Sequence, residues 1–333
     1  MPIQHSASLK TDARRAREAP AIKSFAQDVA DGLRAPQKFI APQYLYDDIG
    51  SALFEVITLL PEYGLTRAEE RLLYSFSGEL AANLAPVSAV VELGSGSGKK
   101  TQQILSALVS AQREVSYFAI DVSPAALQVC CENLGKVRGV QARGVEASYL
   151  EGLGRLREDV SLKGRVLLLF LGSTIGNLTD NEMSSFLKQV RSHLRAGDGF
   201  LLGADLVKSS ERLVEAYDDP AGITASFNLN LLARINRELG GDFDLRKFRH
   251  EARWVPEKSR MEMHLVSLER QSVRVRAANC QVSFEAGESI WTESSRKFTT
   301  MELERAASQS RFTIARQWID KEWPFAETLW LAK

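Results

Sequence analysis

Val90-Val-Glu-Leu-Gly-Ser-Gly-Ser-Gly-Lys-Lys-Thr101 decides the fold. A short apolar run with one acid passes into three glycines spaced two apart, and a helical pattern follows. Glycine tolerates positive φ and lets the backbone come close to a ligand, so the stretch reads as a strand, a tight turn and a helix N-terminus that together receive a small molecule. It is not a P-loop, because the sixth position counted from Gly94 is Lys99. It is not a complete dinucleotide fingerprint either, since the third glycine position is also Lys99.

Downstream of this turn, strand patterns at 115–120, 140–145, 165–171 and 199–206 alternate with helical patterns at 124–134 and 180–194. This is the βαβ rhythm of a doubly wound parallel sheet. The continuous apolar run Val166-Leu-Leu-Leu-Phe-Leu171 predicts a central strand covered on both faces. Upstream, 21–33, 51–60 and 67–84 read as helices, the last with Thr66 as N-cap and Glu69 at the capping-box position. Residues 1–20, rich in Ser, Lys, Arg and Ala, read as a flexible leader.

Beyond Asp205 the rhythm changes to an Asn-rich helical stretch (217–239) and to alternating segments at 261–267, 272–277 and 281–284. A helix beginning at Thr299, with Glu302 completing a capping box, and strand patterns at 312–319 and 325–331 close the chain. The sheet region is therefore interrupted by an insertion at about 208–297.

Lys plus Arg and Asp plus Glu both number 42, so the formal charge is zero. Nucleic acid and anionic membranes reward a concentrated positive field, and neither is expected as a partner. The longest strongly apolar run, 166–171, is far short of the roughly 20 residues of a membrane helix. The polar N-terminus lacks the apolar region of a secretory signal, which leads to the expectation of a cytoplasmic protein. Cys130, Cys131 and Cys280 form no Cys-x-x-Cys, and the four histidines stand singly, so no disulfide framework and no metal site are expected.

Asp121 follows the apolar strand 115–120, and Ser123-Pro124 then opens a helix. A carboxylate at a strand end can cap locally or accept both ribose hydroxyls of a nucleoside; the glycine turn before it favours the nucleoside. A Glu-x-Gly-x-Gly turn resembles the first motif of S-adenosylmethionine-dependent methyltransferases. Six longer strings sharpen that resemblance: Tyr44-Leu-Tyr-Asp-Asp-Ile-Gly-Ser51, Leu60-Pro-Glu-Tyr63, Leu171-Gly-Ser-Thr-Ile-Gly-Asn177, Ala216-Tyr-Asp-Asp-Pro-Ala-Gly222, Phe227-Asn-Leu-Asn230 and Thr292-Glu-Ser-Ser295. They resemble the histidine Nα-methyltransferases of ergothioneine biosynthesis, over residues 21–333.

The resemblance implies an α/β fold, a Rossmann-like methyltransferase sheet (68–207 and 298–333) with an inserted α+β substrate-binding domain built from 20–67 and 208–297. It implies S-adenosyl-L-methionine as cofactor, held by Tyr46, Gly94, Lys100 and Asp121, with Ser148 and Tyr149 at the adenine edge. Ser148 is a departure, since the family usually has an acid there, and it puts cofactor affinity in doubt. The implied amino-acid pocket is Tyr63, Gly172, Asn177, Tyr217, Met263, Glu293 and Ser295, with Tyr63, Asn177 and Tyr217 closest to the chemistry. The implied reaction is Nα-trimethylation of L-histidine to hercynine; a monomer is expected.

Methyl transfer from a sulfonium to an amine needs alignment and an unprotonated nitrogen rather than stabilisation of a large new charge. Asn177 stands where open α/β sheets bind ligands, although it also suits a turn before the helix at Asp180. Tyr63 and Tyr217 offer hydroxyls and ring faces, and Met263 fits equally an inward strand position. Glu293 and Ser295, two apart on an extended segment, share a face and can meet the two nitrogens of one imidazole. Two alternatives stand beside this reading: an Nα-methyltransferase of another aromatic amino acid such as tryptophan, and a catalytically idle nucleoside-binding protein.

Overall fold

The computed structural model describes residues 24–156 and 164–333; the leader expected at 1–20 lies outside the described residues. In chain order the elements are α1 (Phe25–Arg34), α2 (Asp48–Ile57), α3 (Gly64–Leu84), β1 (Ala89–Leu93), α4 (Thr101–Gln112), β2 (Val115–Asp121), α5 (Pro124–Leu134), β3 (Val140–Glu146) and α6 (Tyr149–Leu156). After these come β4 (Val166–Phe170), α7 (Asp180–His193), β5 (Gly199–Asp205), α8 (Ser210–Tyr217) and α9 (Ile223–Leu239). The remainder is β6 (Phe248–Val255), β7 (Arg260–Ser267), β8 (Gln271–Val275), β9 (Cys280–Phe284), β10 (Ser289–Arg296), α10 (Thr300–Gln309), β11 (Phe312–Ile319) and β12 (Phe325–Ala332).

Seven strands form one sheet in the order β11-β12-β5-β4-β1-β2-β3. β1 to β5 are parallel, and β12 runs antiparallel between β5 and β11. Every residue of β1, β4 and β5 is buried, as a sheet covered on both faces requires. Val90, Leu167 and Leu201 pack with Leu72, Phe76 and Ile104 of α3 and α4. Their neighbours Val91, Leu168 and Phe200 point the other way, toward Leu153, Leu187 and Leu303 of α6, α7 and α10. The chain's direction of growth reverses between β1 and β4, and such a switch point opens a crevice at the carboxyl ends of the strands.

The insertion between β5 and α10 builds a second, antiparallel sheet, β10-β7-β6, and a hairpin, β8-β9. Helix α9 packs on this sheet, and the N-terminal segment is tied to both. Ile40 N–H donates to the Trp291 carbonyl at 3.0 Å, and Trp291 N–H to the Lys38 carbonyl at 2.8 Å. Asn230 donates to Asp47 at 2.7 Å, and Arg237 forms an ion pair with the same carboxylate at 2.5 Å.

Three readings of the sequence need correction. Helix α3 begins at Gly64, earlier than the expected 67, with Tyr63 at its N-cap and no side-chain cap, so Thr66 and Glu69 form no capping box. A Cβ at Gly64 would stand 2.3 Å from the Trp323 ring, and this close approach seats the first turn against the core. The helix expected over 217–239 begins only at Ile223: Tyr217 ends the separate helix α8, and Asp219 in the turn between them accepts the N–H groups of Ile223 and Thr224 and starts α9. Strand β6 is additional to the predicted segments. The expected capping box of Thr299 and Glu302 is present. Thr179 and Glu182 form another in front of α7, so Thr179 and not Asn177 caps that helix. No described helix is long and apolar enough to cross a membrane.

Gly152 of α6 tests how tightly the helix bearing Tyr149 is seated. A Cβ there would stand 2.5 Å from Ile120 Cγ2, a fully buried side chain of β2, whereas one at exposed Gly78 in α3 meets nothing within 4 Å. Gly78→Ala should stabilise by about 0.5–1 kcal/mol through helix propensity. Gly152→Ala should destabilise by about 1–3 kcal/mol through overpacking. Urea unfolding of the two variants measures the opposite signs.

Candidate active site

The turn after β1 carries Gly94, Gly96 and Gly98 at φ values of 73°, 51° and 70°. A Cβ at Gly94 would come within 3.0 Å of Tyr149 Oη, while Gly96 faces open space. The last residue of β2, Asp121, accepts the N–H of Ser123 at 3.0 Å. Burial raises its carboxyl, and the N–H groups of Ser123, Gly96 and Val122 pull it back. Burial, helped by the charge of Asp121, pushes the Tyr149 hydroxyl up to about 12. Gly94, Asp121 and Tyr149 thus stand together, and exposed Ser148 directly precedes α6.

Beneath this turn lies a group that sequence reasoning missed. Glu69, fully buried, accepts the backbone N–H of Gly172 and pairs with the Lys100 ammonium. Glu92 accepts from Thr101 Oγ1 at 2.7 Å and from Tyr117 Oη, and burial pushes its carboxyl up to about 7. Glu327, opposite Gly203 in the β12–β5 register, is driven far above the usual carboxylate range by burial and then by Glu69. A Cβ at Gly203 would lie 2.9 Å from Glu69 and 3.0 Å from Glu327, so the missing side chain makes room for the two acids. Lys100 pairs with Glu69, and Glu327 keeps its proton. Lys100 Nζ would stand 3.6 Å from a Cβ at Gly172. The cluster therefore ties the turn after β1 to the turn after β4.

Gly172, at φ 72°, starts that second turn, and a 3-10 turn, Thr174–Asn177, continues it. Gly176 is pressed on the insertion: a Cβ would lie 2.7 Å from the Arg296 carbonyl oxygen. Asn177, partly exposed, has no side-chain hydrogen bond among the described residues. On the same strand β10, Glu293 and Ser295 stand opposite Met263 and Met261 of β7, and opposed residues share a face. Glu293 is 8% exposed, and burial pushes its carboxyl up to about 7 against the pull of Tyr46 and Lys297. Tyr46, expected on the cofactor side, donates to Glu293 Oε1 at 3.4 Å while remaining within electrostatic reach of Tyr149. It stands between the two groups of residues.

The rings of Tyr63 and Tyr217 lie 6.1 Å apart at 70°. Tyr217 Oη donates to Ser295 Oγ at 2.8 Å. Lys297 is a second missed residue: it is 0% exposed, donates to both hydroxyls and pairs with Asp205 at 2.9 Å. The alternation that singled out Glu293 and Ser295 reaches Lys297 two residues on. Among the described residues no His, Cys, Asp or Glu group is arranged to hold a metal.

These features fit a nucleoside carrying an amino-acid tail: a glycine cradle with open space at Gly96, a strand-end carboxylate and an aromatic ring beside both. With the strand order and the reversed β12, they define the class of S-adenosylmethionine-dependent methyltransferases. Within it, the chain belongs to the SAM-dependent, histidine-specific methyltransferase family, whose profile matches residues 25–332.

It is similar to the histidine N-alpha-methyltransferase of Mycolicibacterium smegmatis, 40% identical over 310 residues, which cover 93% of this chain and 95% of that protein. The histidine N-alpha-methyltransferase of Mycobacterium tuberculosis is 41% identical over 304 residues, covering 91% and 93%. Ergothioneine biosynthesis protein 1 of Neurospora crassa is 30% identical over 262 residues, covering 74% of this chain and 30% of that protein.

Asp121→Ala should weaken S-adenosylhomocysteine by at least tenfold in calorimetry, because each charged hydrogen bond lost is worth about 1.5–3 kcal/mol. An unchanged affinity would remove Asp121 from the site. Ser148→Asp places an acid at a position that tolerates one, since aspartate is a good N-cap for α6. It should tighten the same ligand by on the order of 1 kcal/mol, the gain of a charge-assisted hydrogen bond over a neutral one. Weaker binding would mean that another residue reads the adenine edge.

Proposed function

We propose that this enzyme transfers methyl groups from S-adenosyl-L-methionine to the α-amine of L-histidine three times, forming hercynine on the route to ergothioneine, as a cytoplasmic monomer. The observation that carries the reading is the shared face of Glu293 and Ser295 on β10, buried beside Met263 on the strand whose Arg296 backbone meets Gly176 of the turn that bears Asn177. A carboxylate and a hydroxyl at that spacing suit the two nitrogens of an imidazole. The names and similarity of the mycobacterial and fungal relatives support substrate and pathway alike. The free Cys130, Cys131 and Cys280 suit a reducing compartment. We assign 68–207 and 298–333 to the catalytic core, and 20–67 with 208–297 to substrate binding.

The cofactor, when bound, supplies an electrophilic methyl group on a sulfonium with a neutral thioether to leave. Gly94, Asp121, Tyr149 and Lys100 would hold it, and Tyr46 would close the gap to the substrate. The chain's part is alignment. Asn177, with its amide unpaired, and Tyr63 would hold the amino-acid end of histidine. Burial raises Tyr46, Tyr63 and Tyr217 above the ordinary phenol range, so all three stay protonated near neutrality and none serves as a phenolate base. The amine therefore arrives neutral or gives its proton to water. As methyl groups accumulate, the faces of Tyr63 and Tyr217 favour the quaternary ammonium by about 0.5–2 kcal/mol.

Glu293→Ala, measured at pH 8 where the wild-type carboxyl is mostly ionised, should lower histidine affinity about tenfold to a few hundredfold, because a ring N–H loses a charged acceptor in a buried pocket. Below pH 7 the wild type should lose the same acceptor by protonation. S-adenosylhomocysteine binding should not move. The deciding quantity is kcat/KM for histidine over that for tryptophan. A ratio unchanged by the substitution would show that Glu293 does not read the side chain, and the other aromatic amino acids would then become the better candidates.

A further inference from the structure

An ammonium has three N–H donors and no lone pair. Lys297 has three acceptors around it: Asp205 Oδ2 at 2.9 Å, Tyr217 Oη at 2.7 Å and Ser295 Oγ at 2.9 Å. Two of its donors are spent on the hydroxyls, and its charge is paired with Asp205. Ser295 Oγ also lies 2.8 Å from Tyr217 Oη. Of two such hydroxyls the phenol is the stronger acid and donates, while the aliphatic oxygen accepts. A hydroxyl oxygen has two lone pairs and one proton. Lys297 fills one lone pair of Ser295 and Tyr217 fills the other, so what Ser295 has left is its own proton.

We propose that Lys297 is a specificity-determining positioning residue: together with Tyr217 it saturates the acceptor side of Ser295 Oγ and makes that hydroxyl an obligate donor toward the pocket, so the site demands a bare ring nitrogen there. The inference rests on the reading of Glu293 and Ser295 as the imidazole contacts and deepens it. Ionised Glu293 only accepts and Ser295 only donates. The pair therefore asks for a ring with one N–H and one lone pair, which is the neutral imidazole. An imidazolium carries N–H on both nitrogens and meets a second donor at Ser295, an unfavourable juxtaposition built into the protein.

Asp205 makes the device possible, since a fully buried ammonium requires a paired carboxylate. Its other oxygen is held by Lys208 at 2.6 Å and by the Trp323 ring N–H at 3.0 Å, so the carboxylate is fixed independently of Lys297. Lys297 is thus anchored on the core side and presents its remaining two donors to α8 and β10.

The test compares binding of L-histidine with that of 1,2,4-triazol-3-ylalanine, whose ring keeps an N–H and a bare nitrogen but does not take up a proton near neutrality. The titratable groups facing Ser295 are Glu293, Lys297, Tyr217, Asp205, Tyr63 and Tyr46; Glu293 changes charge within this pH window and meets an imidazolium and a neutral triazole differently, so each ratio of dissociation constants is also taken in a Glu293→Gln background, which keeps an acceptor and does not titrate. In the wild type the histidine-to-triazole ratio should rise about tenfold between pH 7.5 and 5.5, following an imidazole pKa of about 6.5.

Lys297→Met and, separately, Tyr217→Phe each free one lone pair of Ser295, and in each the rise should shrink to less than about threefold, the imidazolium now being accepted. Tyr217→Phe removes a single oxygen and keeps the question answerable should Lys297→Met not fold. A residue that merely holds the fold would weaken both ligands at every pH and leave the slope intact. A flat wild-type ratio, or a wild-type slope retained in the folded variants, overturns the proposal. Failure of the wild type to bind histidine even at pH 7.5 would instead overturn the pocket assignment, and this inference with it.

Discussion

The ion pair of Asp205 and Lys297 sits where the chain leaves the large sheet and where it comes back. Asp205 ends β5 and Lys297 follows β10, and the two are 1% and 0% exposed in their side chains. Around them the backbone closes the neck of the insertion: Phe298 N–H donates to the Asp205 carbonyl at 2.9 Å, and Val207 N–H to the Phe298 carbonyl at 3.0 Å. Desolvation makes such a pair worth little as net stability, but breaking it leaves a buried charge that costs about 3–5 kcal/mol. Its value here lies in registry. It fixes β10, and therefore Glu293 and Ser295, against the carboxyl edge of the sheet.

The buried acids under the glycine turn do the same for the other half of the site. Four ionisable groups, Glu69, Glu92, Glu327 and Lys100, are packed where the strands β1, β5 and β12 meet helices α3 and α4. Their charges cannot all be present in a low-dielectric interior, and the raised carboxyls of Glu92 and Glu327 show which ones give way. Glu69 stays engaged with Lys100 and with the Gly172 N–H, so the turn from β1 and the turn from β4 cannot move independently. A methyl donor on one turn and an acceptor on the other need that rigidity, because alignment is the main thing this chemistry asks of the protein.

How much of this was legible follows from the range over which each signal acts. The βαβ rhythm, the buried run 166–171 and the capping box of Thr299 and Glu302 are local patterns, and the structure has them at the expected places. Thr66 and Glu69 have the same capping spacing and mislead for an instructive reason. Glu69 is claimed by Lys100, 31 residues away, and by Gly172, 103 away, and no window along the chain contains those partners. Strand β6 was obscured because its outward residues are charged, Arg249 and Arg253 sharing the Glu251 carboxylate, while its inward set includes His250. A buried histidine breaks an apolar alternation, yet His250 is satisfied by Asn228 at 2.9 Å and by the Tyr217 carbonyl at 2.7 Å.

Lys297 shows the opposite case, a residue whose signal was present and unused. Extended backbone puts positions 293, 295 and 297 on one side, so the rule that paired Glu293 with Ser295 already implied a lysine beside them. Burying an ammonium looks unfavourable from sequence alone, and only the fold supplies Asp205 from β5 to balance it. The carboxylate is in turn held by Lys208 and by Trp323, whose ring also presses on Gly64, the first residue of α3 and the neighbour of Tyr63. One buried charge thus connects the C-terminal loop before β12, the start of α3, the end of β5 and the strand β10 that carries Glu293 and Ser295. On the proposed assignment of Glu293 and Ser295, substrate choice is set by hydrogen-bond polarity fixed behind the pocket wall as much as by the side chains that line it.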